Sequence, residues 1–344
     1  MGRYILNRFL QAVPLMFIIS LLLFVLAQNI GDPIATMGGR NPLRSTDRIR
    51  LQRQLGLDQP IYLQYVYWLI GNDWTKIDVD GDGIKETTGR RKGILRGDFG
   101  KSLIKRGVPV TKLIWERIPN TLILMIPAEI IILLFGITIG TISALKQYSF
   151  TDNAITALSF VGLSMPVFFI ALILVYFFSV LLQRWGFPYL PSVGMFEPEI
   201  GKTPSQVFWH MILPVASIAF VSTATYSRFT RSSMLEIINQ DYIRTARAKG
   251  LEGRYILIVH AFKNAALPIV TLVGLDLPLL LAGAVITERI FAWPGMGRLF
   301  LDHLHRADAP VVMGIVILVA GAVVIFQILT DLVYAALDPR IRLE

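Results

Sequence analysis

Six long apolar stretches, parted by polar segments of very unequal length, set the pattern of this chain. They cover residues 9–26, 119–145, 154–182, 210–228, 266–287 and 310–336. Each is close to or beyond the roughly 20 residues a helix needs to cross a hydrocarbon core. Backbone groups in lipid must be satisfied internally, so the pattern predicts an all-α integral membrane chain with six transmembrane helices. The first stretch follows a short basic segment, residues 1–8, and Ala27-Gln28-Asn29 is a poor cleavage context, so it reads as an uncleaved span with its N-terminus inside. Six crossings then return the C-terminus to the same side. In the third stretch, Ser164 and Pro166 stand near the start, and Pro166 predicts a kink that frees a carbonyl toward a cavity or a neighbouring helix.

The polar segments divide the chain further. Residues 1–30 hold the tail and first span, 31–118 a large external loop, 119–336 a five-helix core with a cytoplasmic loop at 229–265, and 337–344 a cytoplasmic tail. Within the external loop, Leu51, Leu55 and Leu57 recur among charges, which predicts an amphipathic helix over 44–57, with an apolar patch at 61–70 packed against it. This loop is rich in Lys and Arg, but loops of such length cross the membrane largely regardless of charge.

Composition narrows the class. The 344 residues are 54% hydrophobic and 17% charged, and the mean hydropathy is +0.57, which excludes an ordinary soluble domain. A net charge of +9 would suggest nucleic acid as a partner in a soluble protein. Here it is accounted for by cytoplasmic loops beside anionic membrane lipid and by one basic external loop, and no nucleic acid is expected. There is no cysteine, so disulfides, thiolate nucleophiles and Cys-based zinc sites are excluded.

Candidate chemistry is sparse. Asp78, Asp80 and Asp82 alternate ahead of Gly83, as in the first half of a calcium loop, with Ile84 at the backbone-carbonyl position. The twelfth position is Gly89, leaving Glu86 to compensate. Residues 78–92 read either as an inserted Ca2+ site or as a solvated acidic turn. GDFGKSL, residues 97–103, imitates a phosphate loop, but Leu95 stands where the first Gly is required, so nucleotide binding is rejected. His210, His260, His303 and His305 form no convincing metal or catalytic set and read as interfacial or loop residues. Glu129 and Asp276 fall inside spans, where each would cost about 2.5 to 3.5 kcal/mol if it faced lipid. They either line a translocation path with Ser164 and Pro166 or are satisfied by neighbours. An ion-coupled secondary transporter using them as a proton-linked pair is the alternative from a different class.

The longest polar stretch between two spans of the C-terminal half is the most informative. Asp241 is a good N-cap, residues 242–249 contain no helix breaker, and Gly250 stands where a helix ends in a left-handed residue. Arg244 and Arg247 lie together at i,i+3, while Ala246, Ala248 and Gly250 keep one side small. Asp241, Arg244, Thr245, Ala246, Arg247, Ala248, Lys249, Gly250 and Leu251, followed by Leu267-Pro268, resemble the ATPase-coupling loop of ABC-importer permeases of the dipeptide/oligopeptide/nickel family. GDFGKS at 97–102, ERIFAWPGMGRLF at 288–300 and Asp338-Pro339-Arg340 strengthen that resemblance over nearly the whole chain, and Trp293 within the second of these reads as an interfacial anchor. Arg244 and Thr245 replace the Glu and Ala of the wider superfamily pattern.

The resemblance implies a type I ABC-importer (MetI-like) permease fold and a transport subunit that is not itself an enzyme. It implies a second homologous permease, two ATPase subunits that carry ATP and Mg2+, and an external solute-binding protein. Peptides are the expected cargo, with oligosaccharides or nickel as alternatives within the same importer type.

Overall fold

A computed structural model describes residues 2–29, 44–79, 84–105 and 107–337. Six helical segments among them are long and apolar enough to span a membrane: Leu6–Gln28, Val110–Leu145, Val167–Arg184, Pro204–Ile238, Leu267–Ile290 and Ala309–Tyr334. The helices are α1 (Gly2–Asn29), α2 (Ser45–Leu55), α3 (Ile61–Leu69), α4 (Val110–Leu145), α5 (Phe150–Ser164) and α6 (Val167–Val175). They continue with α7 (Pro204–Ile238), α8 (Asp241–Ala248), α9 (Leu267–Ala282), α10 (Val285–Ile290), α11 (Met296–Leu304) and α12 (Ala309–Leu337). The only strands among the described residues, β1 (Lys76–Ile77) and β2 (Thr87–Thr88), form a small hairpin.

The chain divides into two compact units. One comprises Leu10–Ile118 and Leu299–Gly321. Its core is built from Phe24, Tyr65, Trp68 and Met313, so α3 buries its apolar side against α1 and α12. Phe24 and Tyr65 meet edge-on with centroids 5.4 Å apart, and the Tyr65 hydroxyl shares a 2.8 Å hydrogen bond with Ser20. The tie from α3 to α2 runs through their connecting turn, where Gln64 Nε2 donates to the Leu57 carbonyl at 3.1 Å. Asp308 is fully buried in this unit. It accepts from Ser102 Oγ at 2.5 Å, pairs with His303 Nδ1 at 2.8 Å and takes the Leu103 amide at 3.1 Å. Burial works against its charge, yet the bonds from His303, Ser102 and Leu103 hold its carboxyl below the ordinary carboxylate value.

His303 is thus a buried structural residue rather than a loop residue. Serine and histidine both converge on the aspartate, so the three do not form the Ser-to-His-to-Asp order that nucleophilic catalysis requires.

The other unit comprises Met1–Phe9, Pro119–Arg298 and Ala322–Glu344. Leu124, Ala128 and Ile132 of α4 pack with Val215, Ile218 and Tyr226 of α7 and with Ile269 of α9. Glycine allows α4 to lie close to α7, since a Cβ at Gly136 would come 2.6 Å from Tyr226 Cβ and one at Gly140 2.5 Å from the Ser227 carbonyl. Both approaches are far inside van der Waals contact, so no side chain fits there.

Two features depart from expectation. The third apolar stretch is broken rather than kinked, with Met165 extended at φ −95° and ψ 128° and α6 restarting after Pro166. Proline lacks the N–H that would continue the ladder and drives the residue before it out of the helical region. Trp293, expected to anchor at an interface, is fully buried. Its indole N–H donates to the Asn120 carbonyl at 2.8 Å, while Asn120 Nδ2 donates to the Pro294 carbonyl at 3.0 Å. The tryptophan therefore joins the 293–295 turn to the first turns of α4 in this unit. Beside it, the buried Glu288 accepts from Thr121 Oγ1 at 2.9 Å and from the Arg298 amide at 2.9 Å.

Candidate functional site

Gln240, with its extended backbone (φ −71°, ψ 148°), is the N-cap that precedes α8. Asp241 is therefore in the first turn and not the cap, and its carboxylate lies 3.6 Å from Arg244. A carboxylate at this place still favours the positive end of the helix. The helix ends as the sequence requires, with Gly250 at φ +76°.

Two residues seat the helix. Ile243 and Ala246 are buried in a cluster with Ala144 of α4, Met234 of α7 and Ile256, Ala261 and Ala265 of the following segment. Asn264 Nδ2 donates to the Tyr242 hydroxyl at 3.0 Å on the flank. Ala246 therefore faces inward and does not belong to a small outer side. Asp241, Arg244, Thr245, Arg247, Ala248, Lys249, Gly250 and Leu251 are all exposed. The outcome is a short helix held from below that offers three cations and one carboxylate to whatever lies opposite.

The seat is tied to a second polar element. Asp152, near the start of α5, is buried and takes a two-point ion pair from Arg231 of α7. Ser143 of α4 donates to the same carboxylate, and the Tyr148 amide does so at 2.9 Å. Arg231, with help from Ser143 and Tyr148, holds the Asp152 carboxyl well below the usual range in spite of its burial. Ser143 adjoins Ala144, and Arg231 is three residues from Met234, so the ion pair lies directly behind the α8 cluster.

Deeper in the same unit, the two intramembrane carboxylates are brought together. Tyr226 of α7 donates to Asp276 of α9 at 2.7 Å, and its oxygen lies 3.4 Å from Glu129 of α4. Glu129 is 8% exposed and Tyr226 2%. One phenol thus links three spans through two acidic side chains. Neither carboxylate could face lipid cheaply, and both turn toward the same phenol inside the bundle. Ser164 and Pro166 are exposed at the break between α5 and α6 and take no part in these bonds.

Of the candidate calcium ligands, Asp78, Ile84 and Glu86 lie between β1 and β2, with Ile84 and Glu86 exposed. Asp80 and Asp82 lie outside the described residues, as does the tail beyond residue 337. Among the described residues no group of three or more His, Cys, Asp or Glu side chains is placed to hold a metal.

The sequence reading missed Tyr226, which sits in an apolar run where an aromatic ring reads as packing. It also missed the pairing of Asp152 with Arg231, since no local spacing links residues 79 positions apart.

Comparison with known proteins places this geometry. Residues 136–343 match the family described as binding-protein-dependent transport system inner membrane component, and residues 1–125 match its N-terminal counterpart. The oligopeptide transport system permease protein AppB of Bacillus subtilis is 38% identical over 346 residues, covering 99% of this chain and 100% of that one. The dipeptide transport system permease protein DppB of Escherichia coli K12 is 35% identical over 371 residues, covering 99% of each. The glutathione transport system permease protein GsiC of Salmonella choleraesuis is 33% identical over 344 residues, again with 99% of each chain covered.

Among solved structures, a chain of the MetNI methionine ABC transporter in its inward-facing conformation superposes with a TM-score of 0.51. The identity is 16%, over 66% of this chain and 97% of that chain, a likeness of fold. Six apolar spans, the shared fold and relatives aligned from end to end lead to one conclusion: the chain is a multi-pass inner membrane protein and belongs to the binding-protein-dependent transport family, the permease subunits of ABC importers.

Proposed function

We propose that this chain forms half of the transmembrane pathway of an ATP-driven importer of di- or oligopeptides, and that α8 is its coupling helix. The observation that carries the reading is α8 itself, fixed through Ile243 and Ala246 and exposing Arg244, Arg247 and Lys249. In this reading the N- and C-termini, α8 and the whole 229–265 segment face the cytoplasm, and residues 31–118 lie outside. A second, homologous permease completes the pathway, two separate subunits bind ATP and Mg2+ and hydrolyse the nucleotide, and an external binding protein delivers the cargo. Peptide cargo is supported by the names of the full-length relatives, which are oligopeptide, dipeptide and glutathione permeases.

The mechanism is alternating access. Closure of the ATPases pushes α8; the cluster beneath it and the Asp152–Arg231 pair carry the movement to α4, α5 and α7 together. Those helices hold Glu129 and Tyr226, so the push alters the polar group inside the bundle. The trio is proposed to line the path and to receive the cationic end of a peptide, its ammonium exchanging for the phenolic proton as partner of Asp276.

The test is uptake by proteoliposomes holding this chain with its co-purified subunits and binding protein. Labelled tripeptide should enter only with ATP, vanadate should block it, and unlabelled peptide but not nickel or an oligosaccharide should compete. Uptake without ATP that collapses with an uncoupler would contradict the importer reading, and competition by sugar alone would contradict the cargo.

A further inference from the structure

The unit formed by Leu10–Ile118 and Leu299–Gly321 contains a cavity of about 480 Å³ that none of the transport machinery above uses. It lies where α1 ends and α12 begins, lined by Phe24 and Gln28 of the first and Ala309 and Met313 of the second. Phe24, Trp68, Phe99 and Met313 give it apolar walls, while Arg90, Arg91, Lys101 and Asp98 give it charge.

Arg91 is the unusual member. It is partly buried, and burial lowers its guanidinium from the ordinary value. Among the described residues no side chain or carbonyl hydrogen-bonds or ion-pairs with that guanidinium; Asp98 acts on it only through space. Asp98 is itself engaged by backbone, its oxygens accepting the Gly100 amide at 3.0 Å and the Lys92 amide at 3.1 Å. A guanidinium carries five donors in a fixed fork, and holding it partly desolvated without a protein acceptor carries a cost. Arg96, close by in sequence, displays the contrast, since it is satisfied by a two-point bond to Asp73 and by the Ile70 carbonyl.

We propose that this cavity binds an anionic lipid, with its acidic headgroup on Arg91 between Arg90 and Lys101 and its upper hydrocarbon chain among Phe24, Trp68, Phe99 and Met313. Three cations against one occupied carboxylate select a negative head, and guanidinium is well suited to phosphate oxygens. The aromatic and aliphatic walls would gain nothing from a small soluble anion. The position, at the meeting of two span ends, puts the cavity at the level of lipid headgroups. A volume of this size suits a headgroup and the start of a chain.

The test uses the full-length chain in neutral detergent, delipidated and then offered phosphatidylglycerol or phosphatidylcholine, with retained lipid counted by native mass spectrometry. One phosphatidylglycerol should be kept in preference to phosphatidylcholine. Arg91→Gln should weaken its retention about tenfold or more, as expected for losing a charge-assisted bond. Arg91→Lys should keep most of it. Leu51→Trp, which fills the cavity and leaves the charges in place, should also abolish retention, while the retention kept by Arg91→Lys excludes a general folding defect. Equal retention of the two lipids, or an Arg91→Gln chain that binds as well as the parent, would overturn the proposal. So would displacement by millimolar inorganic phosphate, which would mark a site for a soluble anion.

Discussion

Arg231 grips Asp152 at two points, Nε to Oδ1 at 2.7 Å and Nη2 to Oδ2 at 2.8 Å, directly behind the cluster that seats α8. Asp152 is 2% exposed while Arg231 keeps 27%. Removing the carboxylate strands a cation that can still reach water, so Asp152→Ala should cost about 3 kcal/mol, the lower end for a buried pair. Thermal melting of the purified chain checks this. Arg231→Lys, which keeps the charge, should still lower the melting temperature, because an ammonium cannot reproduce the two-point fork.

The same pair sets a pH dependence. The folded-state carboxyl lies below its unfolded value, near 3.9 in model peptides. Its contribution to stability is therefore complete above that value and is lost as pH falls below about 4 toward the folded one. Melting curves between pH 7 and pH 3 should show a drop at the acid end that is smaller in Asp152→Asn, with Asp308 supplying part of what remains.

The phenol of Tyr226 should matter to transport more than to assembly. Tyr226→Phe removes the single donor between Asp276 and Glu129 but keeps the ring that packs in the core. Asp276→Asn and Glu129→Gln keep shape and replace the carboxyl with an amide. Each variant should reach the membrane with its partners and lower peptide uptake several-fold, an effect of about 1 kcal/mol or more. Uptake equal to the parent for all three would remove the trio from the path.

Gly250 separates strain from contact. At φ +76° any other residue pays backbone strain of about 1 kcal/mol, whatever its size. A Cβ there meets nothing within 4 Å in this chain. A loss of coupled uptake that is modest in Gly250→Ala and severe in Gly250→Trp must therefore come from a partner surface. Equal effects of the two would reduce Gly250 to a helix terminator.

The sequence made some of this legible for physical reasons. Uninterrupted apolar runs announced the spans, since nothing else tolerates them, and the polar run with Gly250 at its end announced α8. Pro166 signalled a disturbance but not its degree, because whether a helix kinks or stops depends on what packs beside Met165. Trp293 was misjudged because the same side chain suits an interface or a buried turn, and only the Asn120 carbonyl decides between them. The acidic pair was visible in Glu129 and Asp276, but the residue that joins them, Tyr226, is indistinguishable from a core aromatic until three helices are assembled.

The central claim is that the exposed side of α8 meets an ATP-hydrolysing subunit, and the absence of any cysteine makes a direct measurement simple. Arg247→Cys introduces a unique thiol on that side, to be joined in native membranes to a short thiol-directed photocrosslinker, with the products identified by mass spectrometry. The account predicts a major product with an ATPase chain, changed in yield by ATP with vanadate. Products with lipid alone, or with no ATPase under any nucleotide condition, would contradict it.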